Sequence, residues 1–503
     1  MSKQQNGVLF LPFSFNPASE VPLYRQVYDD IRRAILQGQL IAGTQLPSTR
    51  ALSQHLGISR TTVVMAFDQL LSEGYIEGKK GSGTYVASVL PEELLYKSAS
   101  PIHTPPLQIA ANKQDLSRRG QILAQTDVAT VHYYSESLAF RPGIPDLNHF
   151  PFDIWGRLSA YHCQHPPREL LGYSHPAGYY PLRVEIANYL RNARGVQCTA
   201  EQVVIVSGSQ QGIDLAARLL LDVGDPVWME DPGYSGARSA LLAAGAQLIP
   251  VPIDQEGLDV HAGITRDPDA RMAYVTPSYQ FPLGTTMSLT RRLQLLQWAA
   301  QHDSWLLEDD YDSEFRYAGR PFSSLQGLDT SGRVIYIGTF SKTLFPGLRL
   351  GYVVVPPHLI EPFTSARAVA DRHSPMLDQL VLTDFMMQGH FARHIRAMRR
   401  IYAERQAHLL TEAVRLLNDH LTILPAEAGM HLVGILKKEY DAFDLSQRAL
   451  RQQLIIPAMA SYNISSSHPN AILLGYTAVT KQEISEGIQR LAKLLEEMAS
   501  IPN

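Results

Sequence analysis

Cysteine is nearly absent: Cys163 and Cys198 are the only two in 503 residues. They have no metal-ligand spacing and cannot build a disulfide framework, so no metal site is expected and a reduced cytoplasm suits the chain. Long apolar runs are missing too, since no stretch reaches the roughly eighteen residues that cross a bilayer. The opening segment MSKQQNGVLFLPFSFNPASE holds a short apolar patch, but Pro12 and Pro17 interrupt it and no cleavage pattern follows. Positive charge is not in excess. The formal net charge of −4 argues against a protein that coats nucleic acid.

What is present is 45% hydrophobic residue in a chain too long for one core, so two or three domains are expected. The segment 22–86 is slightly basic against an acidic remainder. In it Leu23, Val27, Ile31, Ala34 and Ile35 fall at helical spacing after Pro22, and Gly38 ends the pattern. Ser48 reads as the N-cap of a short helix, Thr49–Leu56, stopped by Gly57. Ser59 caps a second helix running to about Glu73, with Val63, Ala66, Phe67, Leu70 and Leu71 on the buried stripe. Its other face shows Arg60, Thr61, Thr62 and Met65. Two short helices joined by a glycine turn, the second opening with arginine and hydroxyls, suit entry into a major groove. GYIEGKKGSGTYVA (74–87) then reads as two strands around a Lys-Lys-Gly-Ser-Gly tip, placed for phosphate or the minor groove. Each element alone is more simply a solvated hairpin. Their succession is what argues for DNA.

The stretch LPSTRALSQHLGISRTTVVMAFDQLLSEGYIEGKKGSGTYV (46–86) closely resembles the winged helix-turn-helix of the GntR family of bacterial regulators. Residue by residue, the resemblance implies contacts to double-stranded DNA at Arg50, Ser59, Arg60, Thr61 and Thr62, and at Lys79, Lys80, Gly81 and Gly83 of the tip. The expected organisation is a DNA-binding domain over 20–87 and a mostly extended linker over 88–136, marked by Pro91, Pro101, Pro105 and Pro106. A large α/β domain over 137–384 and a smaller C-terminal subdomain over 385–503 should follow. From about Ser137, short apolar runs ending in polar or glycine turns alternate with helical patterns, which implies a mainly parallel sheet with chemistry at strand ends.

One constellation in that body answers the demands of pyridoxal 5′-phosphate (PLP). The cofactor wants a lysine for its aldehyde, backbone N–H groups, hydroxyls and a cation for its phosphate, a carboxylate for its ring nitrogen and a donor for its phenolic oxygen. Gly208-Ser209-Gln210-Gln211 opens a helix, so its N–H groups can receive a phosphate. Asp309 follows an apolar strand and can pair with a pyridinium; Tyr311 can donate to the phenolic oxygen, and Tyr234 can stack on the ring. GTFSKTLFPGLRLGY (338–352) supplies Lys342 with Thr339 and Ser341 before it and Arg349 after it. Taken singly, these are an ordinary turn, an acidic loop, a packing tyrosine and a solvated lysine. In this order, together, they point to the cofactor.

Residues 137–500 are similar to the fold-type I aminotransferases, which implies a seven-stranded, mainly parallel sheet. The resemblance assigns Ser209 and Gln211 to the phosphate loop, Tyr234 to ring stacking, Asp309 to the ring nitrogen and Tyr311 to the phenolate. It assigns Lys342 to the Schiff base, Thr339 and Arg349 to the phosphate, and Tyr173 to the phosphate of a neighbouring subunit's cofactor. A winged helix ahead of this body, with EDDYDSEFRY and TPSYQFPLG, resembles the MocR subfamily of GntR regulators, PdxR-like (vitamin B6 synthesis) more than GabR-like (γ-aminobutyrate use). It implies a homodimer, in a domain-swapped head-to-tail arrangement.

Three departures bear on function. Leu473 stands where aminotransferases carry the arginine that clamps a substrate carboxylate. Gln280-Phe281-Pro282-Leu283-Gly284 replaces the asparagine-containing turn, and Gly236 stands where γ-aminobutyrate sensors carry arginine. Arg238 or Arg141 could substitute for the clamp from elsewhere. The leading expectation is a PLP-responsive regulator of vitamin B6 synthesis genes with no catalytic residue in use. The alternatives are a true aminotransferase, a regulator sensing an amino compound through PLP, and a repressor whose body is only a dimerisation scaffold.

Overall fold

The computed structural model of the chain describes residues 21–79, 82–88, 116–125, 139–319, 323–424, 426–465 and 469–500. It divides into two compact units, Met1–Ala111 and Asn112–Asn503.

In the first unit, helix α1 (Leu23–Leu36) buries Val27, Tyr28, Ile31, Ala34 and Ile35. Leu23, expected on that stripe, is exposed, and Tyr28 takes a place in the core instead. Helix α2 (Thr49–Leu56) starts at Ser48, whose hydroxyl accepts from the Ala51 N–H at 3.2 Å, and ends at Gly57 with φ +66°. Such left-handed closure costs glycine least. Helix α3 (Arg60–Ser72) starts at Ser59, which accepts from the Thr62 N–H at 3.1 Å. It buries Val63, Ala66, Phe67 and Leu70, whereas Leu71 is 40% exposed and lies off the stripe. The wing is an antiparallel pair, β2 (Ile76–Lys79) and β3 (Gly83–Val86). A two-residue strand, β1 (Gln45–Leu46), adds to the outer edge of β3, a pairing too short to leave a periodic signal.

The second unit is built on an eight-stranded sheet rather than seven. Its strands are β4 (Val203–Val206), β5 (Pro226–Asp231), β6 (Gln247–Asp254), β7 (Gly257–Leu258), β8 (Met272–Val275), β9 (Trp305–Asp310), β10 (Val334–Thr339) and β11 (Gly351–Val354). The spatial order is β4-β11-β10-β9-β8-β5-β6-β7. The run β10-β9-β8-β5-β6 is parallel; β11 is antiparallel to both neighbours, and β7 is a two-residue hairpin return on β6, which accounts for the extra strand. The central strands are buried along their whole length, as sheets covered on both faces require.

The C-terminal part carries the 28-residue helix His390–Leu417 and the antiparallel sheet β12 (Leu421–Ile423), β13 (His431–Leu436) and β14 (Ala471–Gly475). Its last helix, Lys481–Ala499, opens with the capping box formed by Thr480 and Glu483. The expected 384/385 boundary falls inside the helix Met376–Met387, and one apolar core runs from Phe140 and Phe385 to Tyr476 and Leu491 on either side of it.

The expected extended linker is not extended throughout. Arg118–Gln125 is a helix, started by Ser117 accepting from the Gly120 N–H at 3.0 Å, and it packs on the helix Ser235–Ala244. Two turns with Ile122 as the half-buried apolar residue make too weak a pattern to read from sequence. Residues 89–115 and 126–138 lie outside the described residues.

Candidate functional site: a cofactor cavity at Lys342

The parallel strands deliver their C-terminal ends to one place, the usual ligand position in such sheets. A cavity of about 390 Å³ opens there, lined by Ser209, Gln210, Tyr234, Asp309, Tyr311, Thr339, Ser341, Lys342 and Arg349 among others. Nine of the eleven residues expected at the cofactor are therefore brought together.

β9 ends in Asp309 and Asp310, and the two neighbours take different states. Asp310 is ion-paired with Arg194 at 2.8 Å and held below the ordinary carboxylate value against its burial. Asp309 is 3% exposed, and burial pushes its carboxyl up to about 7 although Tyr274 donates to its Oδ2 at 2.8 Å. Its Oδ1 and the Tyr311 hydroxyl are buried without a hydrogen-bond partner in the protein. Buried polar atoms are rarely left so, and each orphan costs about 1–3 kcal/mol. A protonated ring nitrogen and a phenolic oxygen are the partners this carboxylate and this phenol suit. The residues present fit PLP.

Lys342 follows β10. Its Nζ donates to the Gly143 carbonyl at 2.7 Å, and a Cβ on Gly143 (φ +69°) would come within 2.8 Å of that nitrogen. The side chain is half-buried at the cavity wall, and its desolvation pushes the amine pKa down against the pull of Asp312 and Asp309. A larger share of neutral, nucleophilic amine is the consequence.

At the other flank Gly208 (φ +99°) starts the helix Ser209–Leu220, whose first N–H groups carry the positive end of its dipole. Arg349 lies over that turn, its Nη2 donating to the Ser207 carbonyl at 2.7 Å, and its own φ of +51° is unusual for a side chain with a Cβ. Thr339 Oγ1 accepts from the Ser341 N–H at 3.2 Å, shaping the loop before Lys342. Tyr234 donates to Gln210 Oε1 at 3.3 Å and stands edge-on to Phe281.

Two expected residues do not reach this cavity. Gln211 accepts from the Ser207 N–H at 2.8 Å and donates to Asp371 at 3.1 Å, so its amide braces the helix start instead. Tyr173 is 86% exposed under the Arg372 guanidinium and stands outside its own chain's cavity. Sequence reasoning missed Tyr274 and the apolar wall of Ile144, Met430, Ile455 and Tyr462. Tyr274 sits mid-strand, and its partner lies 35 residues away across the sheet, so no local pattern marks it.

The three departures acquire reasons. Leu473 is fully buried with Val433, Met459 and Ala471, a layer behind the cavity residues Phe281 and Tyr462. A Cβ on Gly236 would lie 2.4 Å from the Tyr234 ring and 2.5 Å from Gln210 Oε1, so an arginine there is incompatible with this placement of Tyr234. Gln280 donates to Glu230 at 3.2 Å and to the Pro232 carbonyl at 2.9 Å, tying the turn to β5.

In the first unit Arg50, Ser59, Arg60 and Thr61 are exposed, and Thr62 is half-buried. They gather at the starts of α2 and α3. Lys79 lies 5.1 Å from the Tyr85 ring centroid and 3.7 Å from Glu77, and Gly83 has φ +116° at the wing turn. Lys80 and Gly81 lie outside the described residues.

The family description "Bacterial regulatory proteins, gntR family" matches residues 23–86, and "Aminotransferase class I and II" matches residues 157–491. The protein named "Probable rhizopine catabolism regulatory protein MocR" of Rhizobium meliloti is 41% identical over 96% of both chains. This chain belongs to the MocR-type regulators of the gntR family. Another relative, the HTH-type pyridoxine biosynthesis transcriptional regulator PdxR of Corynebacterium glutamicum, is 31% identical over 93% of this chain and 94% of its own. Among solved structures, α-aminoadipate aminotransferase LysN of Thermus thermophilus, complexed with N-(5′-phosphopyridoxyl)-L-leucine, is 29% identical with a TM-score of 0.70, over 76% of this chain and 98% of its own. The chain is thus a DNA-binding transcriptional regulator whose body has the class I/II aminotransferase fold, a fold whose members use PLP. No helix among the described residues is long and apolar enough to cross a membrane.

Proposed function

We propose that this regulator responds to PLP held covalently at Lys342, and that the aminotransferase-like body serves as the sensor of a DNA-binding homodimer. The carrying observation is the pair of orphaned buried atoms, Asp309 Oδ1 and Tyr311 Oη, in one cavity with a half-buried lysine and a helix N-terminus. Bound there, the cofactor would supply an aldehyde that bonds reversibly to an amine and a ring that withdraws electrons. This chain's residues would do the holding: Ser209, Thr339, Ser341 and Arg349 at the phosphate, Asp309 and Tyr311 at the ring, Tyr234 beside its face. Leu473 behind the wall supports sensing over turnover, because a bidentate arginine is the strongest orienting contact an amino acid would have on that strand.

A ligand shifts an equilibrium only by its differential affinity for two states, so PLP must favour one presentation of the paired winged helices over another. Two half-sites should be needed. The test is a DNA-shift titration on the gene's own upstream region and on pyridoxine synthesis promoters, with and without PLP. Wild type should show PLP-dependent binding and an absorbance band near ~410–430 nm, the range of a lysine-linked PLP. Lys342→Ala retaining both would sink the reading.

A further inference from the structure

A second concavity in the body shares no lining residue with the cofactor cavity. It is a pit of about 270 Å³ walled by Tyr317, Arg396, Arg399, Arg400 and Ala403. Its three arginines come from one face of the long helix His390–Leu417, at i, i+3 and i+4. From His390 to Ala403 that helix holds four arginines and no acidic residue. Like charges at this spacing repel, so the cluster works against the helix that carries it.

The surroundings leave most of this charge uncompensated. Arg396 and Arg400 are exposed and make no hydrogen bond or ion pair among the described residues. Glu404, one turn past Arg400, accepts from Lys481 at 3.0 Å, and Glu427 is ion-paired with Arg316 at 2.6 Å. Arg399 is held in place through Nε, which donates to the Glu314 carbonyl at 2.9 Å. Tyr317 is fixed as well: its hydroxyl donates to the Gly429 carbonyl at 2.6 Å and its N–H to the Glu427 carbonyl at 2.8 Å. Three guanidiniums therefore surround a small space whose aromatic side is rigid.

We propose that this pit binds the terminal phosphate of a small phosphomonoester, as a ligand site separate from the cofactor's. A monoester dianion offers three free oxygens, one for each guanidinium, and close to two negative charges. A diester of the DNA backbone offers two oxygens and one charge. Planar guanidinium forks match the fuller set. Binding alone is claimed, and it does not depend on PLP.

The test is a phosphorus NMR titration of the full-length protein, loaded with PLP so that the cavity's phosphate site is filled. Methyl phosphate and dimethyl phosphate are compared at constant ionic strength. Methyl phosphate should bind wild type about tenfold tighter or more, and Arg396→Ala/Arg400→Ala should weaken it by at least about tenfold. Arg396→Lys/Arg400→Lys should keep part of the affinity. Lowering the pH from about 8 to about 5 should weaken methyl phosphate, because the dianion takes up a proton near pH 6 and arginine does not titrate. Removing two like charges should leave the melting temperature unchanged or raised, and the Lys342-dependent absorbance band unchanged. Equal binding of the two esters, no binding of methyl phosphate, or binding that survives the double alanine variant would each overturn the proposal. A clearly lowered melting temperature makes the arginines structural and overturns it too. So does a double variant whose only defect is a flatter salt dependence of DNA binding, which assigns them to the DNA backbone. A wild type that never shows the band refutes the PLP reading instead, and the same titration on unloaded protein still decides this one, since the double variant alters the pit alone.

Discussion

Tyr274→Phe removes one oxygen atom from a fully buried position and should retune the cofactor site through pH. The hydroxyl donates to Asp309 Oδ2 at 2.8 Å and pulls the carboxyl pKa down, while burial holds it up at about 7. A hydrogen bond to a charged acceptor contributes about 1.5–3 kcal/mol, and 1.36 kcal/mol corresponds to one pKa unit, so the variant's Asp309 should titrate about one to two units higher. The sign follows from the partner. A protonated ring nitrogen needs an ionised Asp309, so PLP affinity falls as pH drops through the carboxyl pKa. At pH 7.5 roughly three quarters of wild-type Asp309 is ionised, against about 3–25% in the variant, which predicts an affinity loss of about three- to thirtyfold. The loss should shrink as pH rises toward 9. PLP titrations followed by absorbance from pH 6 to 9, on both proteins, measure it. A loss of equal size at every pH, or no loss, would refute the argument that Tyr274 acts by holding Asp309 ionised.

Arg60→Ala should weaken DNA binding and flatten the plot of log affinity against log salt by about 0.9 if its exposed guanidinium meets one phosphate. An unchanged slope places Arg60 off the backbone. Leu70→Ala empties a fully buried position of α3 and should cost about 2–5 kcal/mol, a large share of the stability of a module this small. DNA binding should fail near 37 °C while the PLP band persists, and calorimetry showing an unshifted first transition would contradict this.

Much of the winged helix was legible because its signals are local. Ser48, Gly57 and Ser59 cap and end helices whose buried stripes repeat within one element. The errors there, Leu23 and Leu71, sit at stripe edges, where a single turn of rotation decides between core and solvent. In the body, Gly208, Asp309, Thr339 and Lys342 stood out because each follows an apolar strand, and strand ends of a parallel sheet converge. Gln211 stays off the cavity wall for a physical reason. A helix start has more polar side chains than a phosphate can use, and Gln211 spends its amide on Ser207 and Asp371.

The order of residue types along the chain by itself marked the two-part architecture, the set of residue types gathered at the cavity and the family, since each depends on patterns within tens of residues. Tertiary structure alone decided the states of those groups. It set the Asp309 pKa up to about 7 and that of Asp310 below the ordinary carboxylate value although they are adjacent and both buried, because Arg194 offsets the burial of Asp310 whereas the Tyr274 hydroxyl offsets only part of that of Asp309. It also turned Leu473 into a second layer and brought the Gly143 carbonyl to Lys342, beside a pairing that joins residues 140 and 475. No window of sequence contains both ends of such a contact, and the charge a buried group carries is settled by its neighbours in space.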